Sequence, residues 1–105
     1  MHHRIFTLAA MCLLTACGGD IGKAQDEVKR RLYDGSSAEF RDDRVLYLPP
    51  GRDKIVCGEV NAKSPQGGYS GFQPYVVENL DVAPFAKFSQ ESAQDIRVTC
   101  SLGKP

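Results

Sequence analysis

The sequence predicts an α+β domain, with an N-terminal helix packed on a small antiparallel sheet of about four strands. Three observations carry this expectation. Ile21, Ala24, Val28 and Leu32 recur at spacings of three and four, which lines one face of a helix with apolar side chains. From Arg44 onward the chain turns to short runs rich in β-branched and aromatic residues. Proline and glycine clusters at Pro49-Pro50-Gly51 and Ser64-Pro65-Gln66-Gly67-Gly68 separate those runs, as turns do.

Taken in order, Asp20 is placed to cap the helix by accepting hydrogen bonds from free backbone N–H groups. Asp26 precedes Arg30 by four residues, and Glu27 precedes Arg31 by four. Both pairs have the favourable acid-first order of a solvated helix face. Asp34-Gly35 ends the helix. Ser36 and Glu39 have capping-box spacing, which predicts one short helical turn around Ser37 to Arg41. Arg44 to Leu48 reads as a first strand. Lys54 to Lys63 reads as a second, with Val56, Gly58, Val60 and Ala62 on one face and Ile55, Cys57, Glu59 and Asn61 on the other. Gly58 inside that strand marks a bulge or a close backbone approach. Tyr69 to Asn79 reads as a third strand. Pro74 cannot donate to a ladder, so this strand is expected at an edge or with a bulge. Val82 to Phe88 is apolar, Ser89 to Asp95 is polar, and the alternation of Ile96 to Cys100 predicts the last strand.

The first sixteen residues differ from the rest. Met1-His2-His3-Arg4 leans basic, and Ile5 to Leu14 is apolar apart from Thr7. A stable bilayer span needs about 20 apolar residues, so this run is too short and fits the apolar region of a secretory signal. It ends in Leu14-Thr15-Ala16-Cys17, an apolar residue, two small ones and a cysteine. That tetrapeptide resembles the lipobox of bacterial lipoproteins. The resemblance implies cleavage before Cys17 and a diacylglycerol on its sulfur. It divides the chain into a signal peptide (1–16), a lipidated cysteine with a short spacer (17–20) and a single domain (21–105). Two or more acyl chains hold a protein stably on a membrane, whereas one alone is marginal. In Gram-negative lipoproteins an aspartate directly after the lipidated cysteine resembles an inner-membrane retention signal. Here Gly18 and Gly19 intervene before Asp20, which by that resemblance points to the outer membrane. The competing readings of the same residues are an ordinary cleaved signal with Cys17 free and an uncleaved apolar start.

Cleavage would remove Cys12, and lipid would occupy Cys17. Cys57 and Cys100 then remain as a pair in an oxidising compartment, where a disulfide between them is expected. A loop of this length confers about 4 kcal/mol in the chain-entropy account. A metal pair or a catalytic thiol is the competing reading of the same two cysteines.

Function classes narrow by what the domain lacks. Both histidines, His2 and His3, lie in the signal, so the secreted part would have no imidazole for a catalytic triad, a Cys–His pair or a histidine-bound zinc. The 13 basic residues match 13 acidic ones, which argues against a nucleic-acid partner, since that needs a basic face. No cofactor motif is present. A carboxylate pair such as Glu59 and Glu78 is the remaining catalytic option, in the manner of a small hydrolase.

One segment stands out: Cys57-Gly58-Glu59-Val60-Asn61-Ala62-Lys63, followed by Gly67-Gly68-Tyr69-Ser70-Gly71-Phe72-Gln73-Pro74-Tyr75. It resembles a stretch in a family of small uncharacterised bacterial proteins, many of them lipoproteins, in which C-G-E-V-N-x-K precedes G-G-Y-x-G-F-x-P and an aromatic residue. Ser36-Ser37-Ala38-Glu39-Phe40-Arg41 resembles the same group, so the likeness covers roughly residues 34 to 77. It implies a shared fold and brings no established activity. The aromatics of this segment have two readings. They form the core under the helix, or Tyr69, Phe72 and Tyr75, with Asn61 and Lys63 beside them, form an exposed edge for a protein partner. The expected function is a non-catalytic binding or structural module, in its narrower form an inhibitor or immunity-type protein, anchored by lipid to the envelope.

Overall fold

The computed structural model describes residues 19–89 and 92–105. Cys17 and the lipobox lie outside the described residues. The elements are helix α1 (Gly19–Arg31), a 3-10 turn (Gly35–Ser37), strands β1 (Glu39–Leu48), β2 (Asp53–Asn61), β3 (Gln73–Glu78) and β4 (Phe85–Phe88), and helix α2 (Ala93–Leu102). The strands form one antiparallel sheet in the order β1-β2-β3-β4. The protein is α+β, with α1 on one face of the sheet and the shorter α2 on the other. Among the described residues no helix is long and apolar enough to cross a membrane.

The apolar stripe does what its spacing predicts. Ala24 and Val28 are fully buried, and Ile21 and Leu32 pack beside them on Val56, Val60, Tyr75 and Val77 of the sheet. Burying a valine such as Val28 contributes about 2 kcal/mol. Gly19 and Asp20 are already helical, so Asp20 sits in the first turn instead of capping it. There its charge suits the positive end of the helix dipole. Glu27 departs from the solvated face expected of it. It is only 7% exposed and binds both Arg30 and Arg31 at 2.8 Å, which leaves Asp26 out of the Arg30 pair. The hydrogen bonds from Arg30 and then Arg31 hold the Glu27 carboxyl below its ordinary range.

After α1 the chain doubles back over its last turn. A Cβ on Gly35 would run into the Lys29 backbone, so glycine is required there. The turn predicted around Ser37 to Arg41 forms earlier, at Gly35–Ser37, with the Asp34 carboxylate and carbonyl accepting from the Ser36 and Ser37 hydroxyls at 2.7 Å. Glu39 to Arg41 instead extend β1, because Phe40 finds a cross-strand partner in Val60. Sheet pairing outweighs the local capping signal.

β1 carries a bulge. Arg41 pairs with Glu59 and Arg44 with Cys57, so Asp42 and Asp43 together face Gly58. Asp42 takes a left-handed φ of 59°. The extra residue resets the alternation, which is why Phe40 and Val45 both reach the α1 side. β2 lies in the middle of the sheet and is buried on both faces. Val56 and Val60 meet α1, while Ile55 and Cys57 meet α2.

Two expectations about the strands change. β3 is interior and not an edge. Pro74 is accommodated because β4 stops at Phe88 opposite Tyr75, so no ladder hydrogen bond is asked of it on that side. The fourth strand is Phe85–Phe88, whereas Ile96 to Cys100 lie in α2. Ala93, Ile96 and Cys100 share one helix face and are buried, but Val98 is 48% exposed. A strand would have put Val98 beside Ile96 and Cys100. The disulfide forms as expected between Cys57 and Cys100, 43 residues apart in sequence, and fastens α2 to β2. The C-terminal end returns to the outer edge of β1, where Lys104 and Tyr47 exchange backbone hydrogen bonds of 2.7 and 2.9 Å.

Candidate functional site

The β2–β3 connection is built out of the sheet by short-range hydrogen bonds. Lys63 and Tyr69 form one further bridge beyond the strands. Ser64 and Gly68 close the loop, with the Ser64 N–H donating to the Gly68 carbonyl at 2.9 Å. The exit is fixed by Asn61, whose Oδ1 accepts from the Gly71 N–H at 2.9 Å. Gly71 has a φ of +98°, which a side chain would resist.

Ser37 staples this loop to the turn after α1. Its hydroxyl accepts from the Lys63 N–H at 2.8 Å, and its carbonyl accepts from the Tyr69 hydroxyl at 3.0 Å. Tyr69 remains 46% exposed, with the Lys63 ammonium 5.8 Å from its ring centroid. At the root of the loop the Arg41 guanidinium stacks 3.8 Å from the Phe72 ring centroid and pairs with Glu59 at 2.6 Å. Arginine over an aromatic face gains both dispersion and cation–π attraction. Asn61, Lys63, Tyr69 and Phe72 therefore do lie together, and each has a defined internal contact.

Tyr75 does not belong with them. Its side chain is fully buried under α1, and its ring meets Phe40 edge-on at 5.8 Å. The period-two extrapolation from Tyr69 fails because β3 begins only at Gln73, after the chain has turned at Gly71. The Tyr75 hydroxyl donates to Asp43 Oδ1 at 2.6 Å, and Gln25 Nε2 donates to Asp43 Oδ2 at the same distance. Burial, followed by the hydrogen bond to Asp43, pushes the Tyr75 phenol well above its ordinary pKa. Gly58 makes the network possible, since a Cβ there would strike the Asp43 carboxylate and come within 2.8 Å of the Tyr75 ring. The glycine signal in the strand meant close approach. The approaching group is a side chain delivered by the bulge of β1.

A cleft of about 300 Å³ opens on the opposite face, where the short α2 leaves one end of the sheet uncovered. Its floor includes Pro74, Ile96 and Cys100, all buried. Arg44, Arg97 and Asp42 stand exposed on its rim, with Glu59 half-buried beside them. Arg44 donates to the Asp42 carbonyl at 2.9 Å. Glu59 links the cleft to the Arg41–Phe72 stack, so cleft and loop form one continuous surface. The two carboxylates considered for catalysis do not converge. Glu59 lies opposite Pro74 at one end of β3 and Glu78 lies at the other, about 13 Å along the strands. A glycosidase pair needs a separation of roughly 5–9.5 Å. No known protein family, curated protein or solved structure matches the chain.

Proposed function

We propose that this protein is a non-catalytic binding or structural module of the bacterial envelope, held by lipid on Cys17 at the periplasmic face of the outer membrane. Its partner is a protein, engaged through the β2–β3 loop. In the narrower form the partner is an enzyme that the loop obstructs. Leu14-Thr15-Ala16-Cys17 behind a short apolar run supports the anchor. The observation that carries the binding half is Tyr69, a large and exposed ring on a loop that Ser37 already holds still. A preorganised aromatic contact loses little entropy on binding, and tyrosine and arginine dominate the energetics of interfaces. Phe72 under Arg41 extends the same surface toward the cleft. A carboxylate hydrolase has less support, because Arg41 occupies Glu59 and Glu78 is remote.

The test is affinity capture from detergent-solubilised envelope using the full lipidated chain. A stoichiometric partner retained by Tyr69→Phe, which keeps the ring, and lost by Tyr69→Ala is the expected result. A partner retained equally by both variants, or none at all, removes the loop from the reading.

A further inference from the structure

The site at which the chain enters α1 determines which end of the domain would face an anchor at Cys17. Cys17 is two residues before Gly19, a reach of at most about 7 Å. α1 starts beside the first residues of β2 and the β3–β4 turn. Lys54 binds Asp20 at 3.3 Å and Asp81 at 3.6 Å, and Lys23 binds Asp81 at 3.8 Å. That end of the sheet also carries the exposed Pro49-Pro50 turn, the exposed Arg52, and Val82, which is 90% exposed. The β2–β3 loop lies at the other end, since β2 runs from Asp53 to Asn61 before entering it. Eight residue steps of strand separate the two ends by about 26 Å.

We propose that the rim formed by Pro49, Pro50, Arg52 and Val82 is a membrane-contact surface, occupied by the headgroup layer of a phospholipid bilayer, and that the β2–β3 loop points away from it. The proposal rests on the lipid-anchor reading of Cys17. A 7 Å tether is about as long as the interfacial layer of one leaflet is thick, so an anchored domain has no room to stand clear of the surface. The rim suits a headgroup layer. Lys23 and Lys54 are paired with Asp20 and Asp81, and the exposed Arg52 adjoins the exposed Asp53, so these groups present no excess of positive charge that would demand anionic lipid. Val82 and the two prolines offer apolar groups with little polar surface to desolvate. Arg52 lies over the Tyr47 ring at 5.1 Å, an amphipathic pair suited to an interface.

The chain contains no tryptophan, so one introduced indole reports a single position. Val82→Trp and Gln66→Trp both substitute exposed residues. Each full-length lipidated variant is reconstituted in phosphatidylcholine–phosphatidylethanolamine vesicles bearing a headgroup spin label, and its acyl mass is measured. The expected result is a blue shift and strong quenching at position 82, with emission at position 66 unchanged from the detergent form. Acylated protein with equal quenching at both positions, the reverse order, or no quenching overturns the orientation and leaves the anchor standing. Protein without acyl mass overturns the anchor reading and this proposal together.

Discussion

Gly58→Ala tests the account of the core most directly. The added methyl would collide with the Asp43 carboxylate and sit 2.8 and 3.0 Å from two atoms of the Tyr75 ring. Neither neighbour is free to give way. Tyr75 is fully buried, and Asp43 is held by Tyr75 and Gln25 through 2.6 Å hydrogen bonds on a bulged strand. Overpacking of this kind costs about 1–3 kcal/mol. Displacing Asp43 also forfeits a hydrogen bond to a charged acceptor, worth about 1.5–3 kcal/mol. The two losses share atoms and do not add fully, so the expected destabilisation is about 3 kcal/mol. In urea, with a slope of about 1.5 kcal/mol/M for a small domain, that lowers the unfolding midpoint by about 2 M. The measurement is equilibrium denaturation of residues 17–105 with the disulfide intact and Cys17→Ser as background. The double variant Gly58→Ala/Asp43→Ala removes the collision with the carboxylate and is expected to cost less than the two single changes added together. A Gly58→Ala midpoint within 0.3 M of the parent, about 0.5 kcal/mol on that slope, would refute the packing of Asp43 and Tyr75 over β2.

Two further outcomes follow from the same structure. Cys57→Ser/Cys100→Ser is expected to lose about 4 kcal/mol and to raise amide exchange across residues 93–102 more than across β2, because the bond fastens α2 to the sheet; uniform protection in α2 would contradict that role. Tyr75 keeps its proton more tightly folded than unfolded, so its contribution to stability is complete below about pH 10 and falls as pH rises above that value. Alkaline denaturation monitored by circular dichroism should therefore show a component above pH 10 in the parent that Tyr75→Phe lacks, and identical profiles would sink the assignment.

Much of the architecture is legible in the sequence because some signals are redundant. Ala24 and Val28 are backed by Ile21 and Leu32 over three helical turns, so the period is unambiguous. Lys54 to Lys63 alternates long enough to assign Val56 and Val60 to one face and Ile55 and Cys57 to the other. Short segments fail for the opposite reason. Ile96, Val98 and Cys100 fit a two-residue period, yet Ile96 and Cys100 alone fit a helical one. Five residues cannot separate the two patterns. The choice falls to Ala93, which completes the buried helix face, and to the disulfide that holds Cys100 over β2.

The candidate site divides in the same way. Gly58, Asn61, Gly71 and Phe72 announce themselves as unusual within their segment, and each has a specific contact. Asn61 and Gly71 find each other within the segment, but Gly58 meets Asp43 and Phe72 meets Arg41, both on β1, while Tyr69 reaches Ser37 and Tyr75 reaches Asp43 across 32 residues, and no local pattern names those partners.

Local chemistry by itself determined the first helix and the two-faced second strand, since each depends on periodicity, and Cys57 and Cys100 are the two cysteines that the domain from residue 21 onward contains. Only tertiary structure decided that a bulge at Asp42–Asp43 would carry a carboxylate over Gly58, that Tyr75 would turn inward while Tyr69 stayed out, and that the last apolar segment would coil. Those outcomes turn on contacts between chain segments far apart in sequence, where the energy of one residue depends on which neighbour the fold delivers to it.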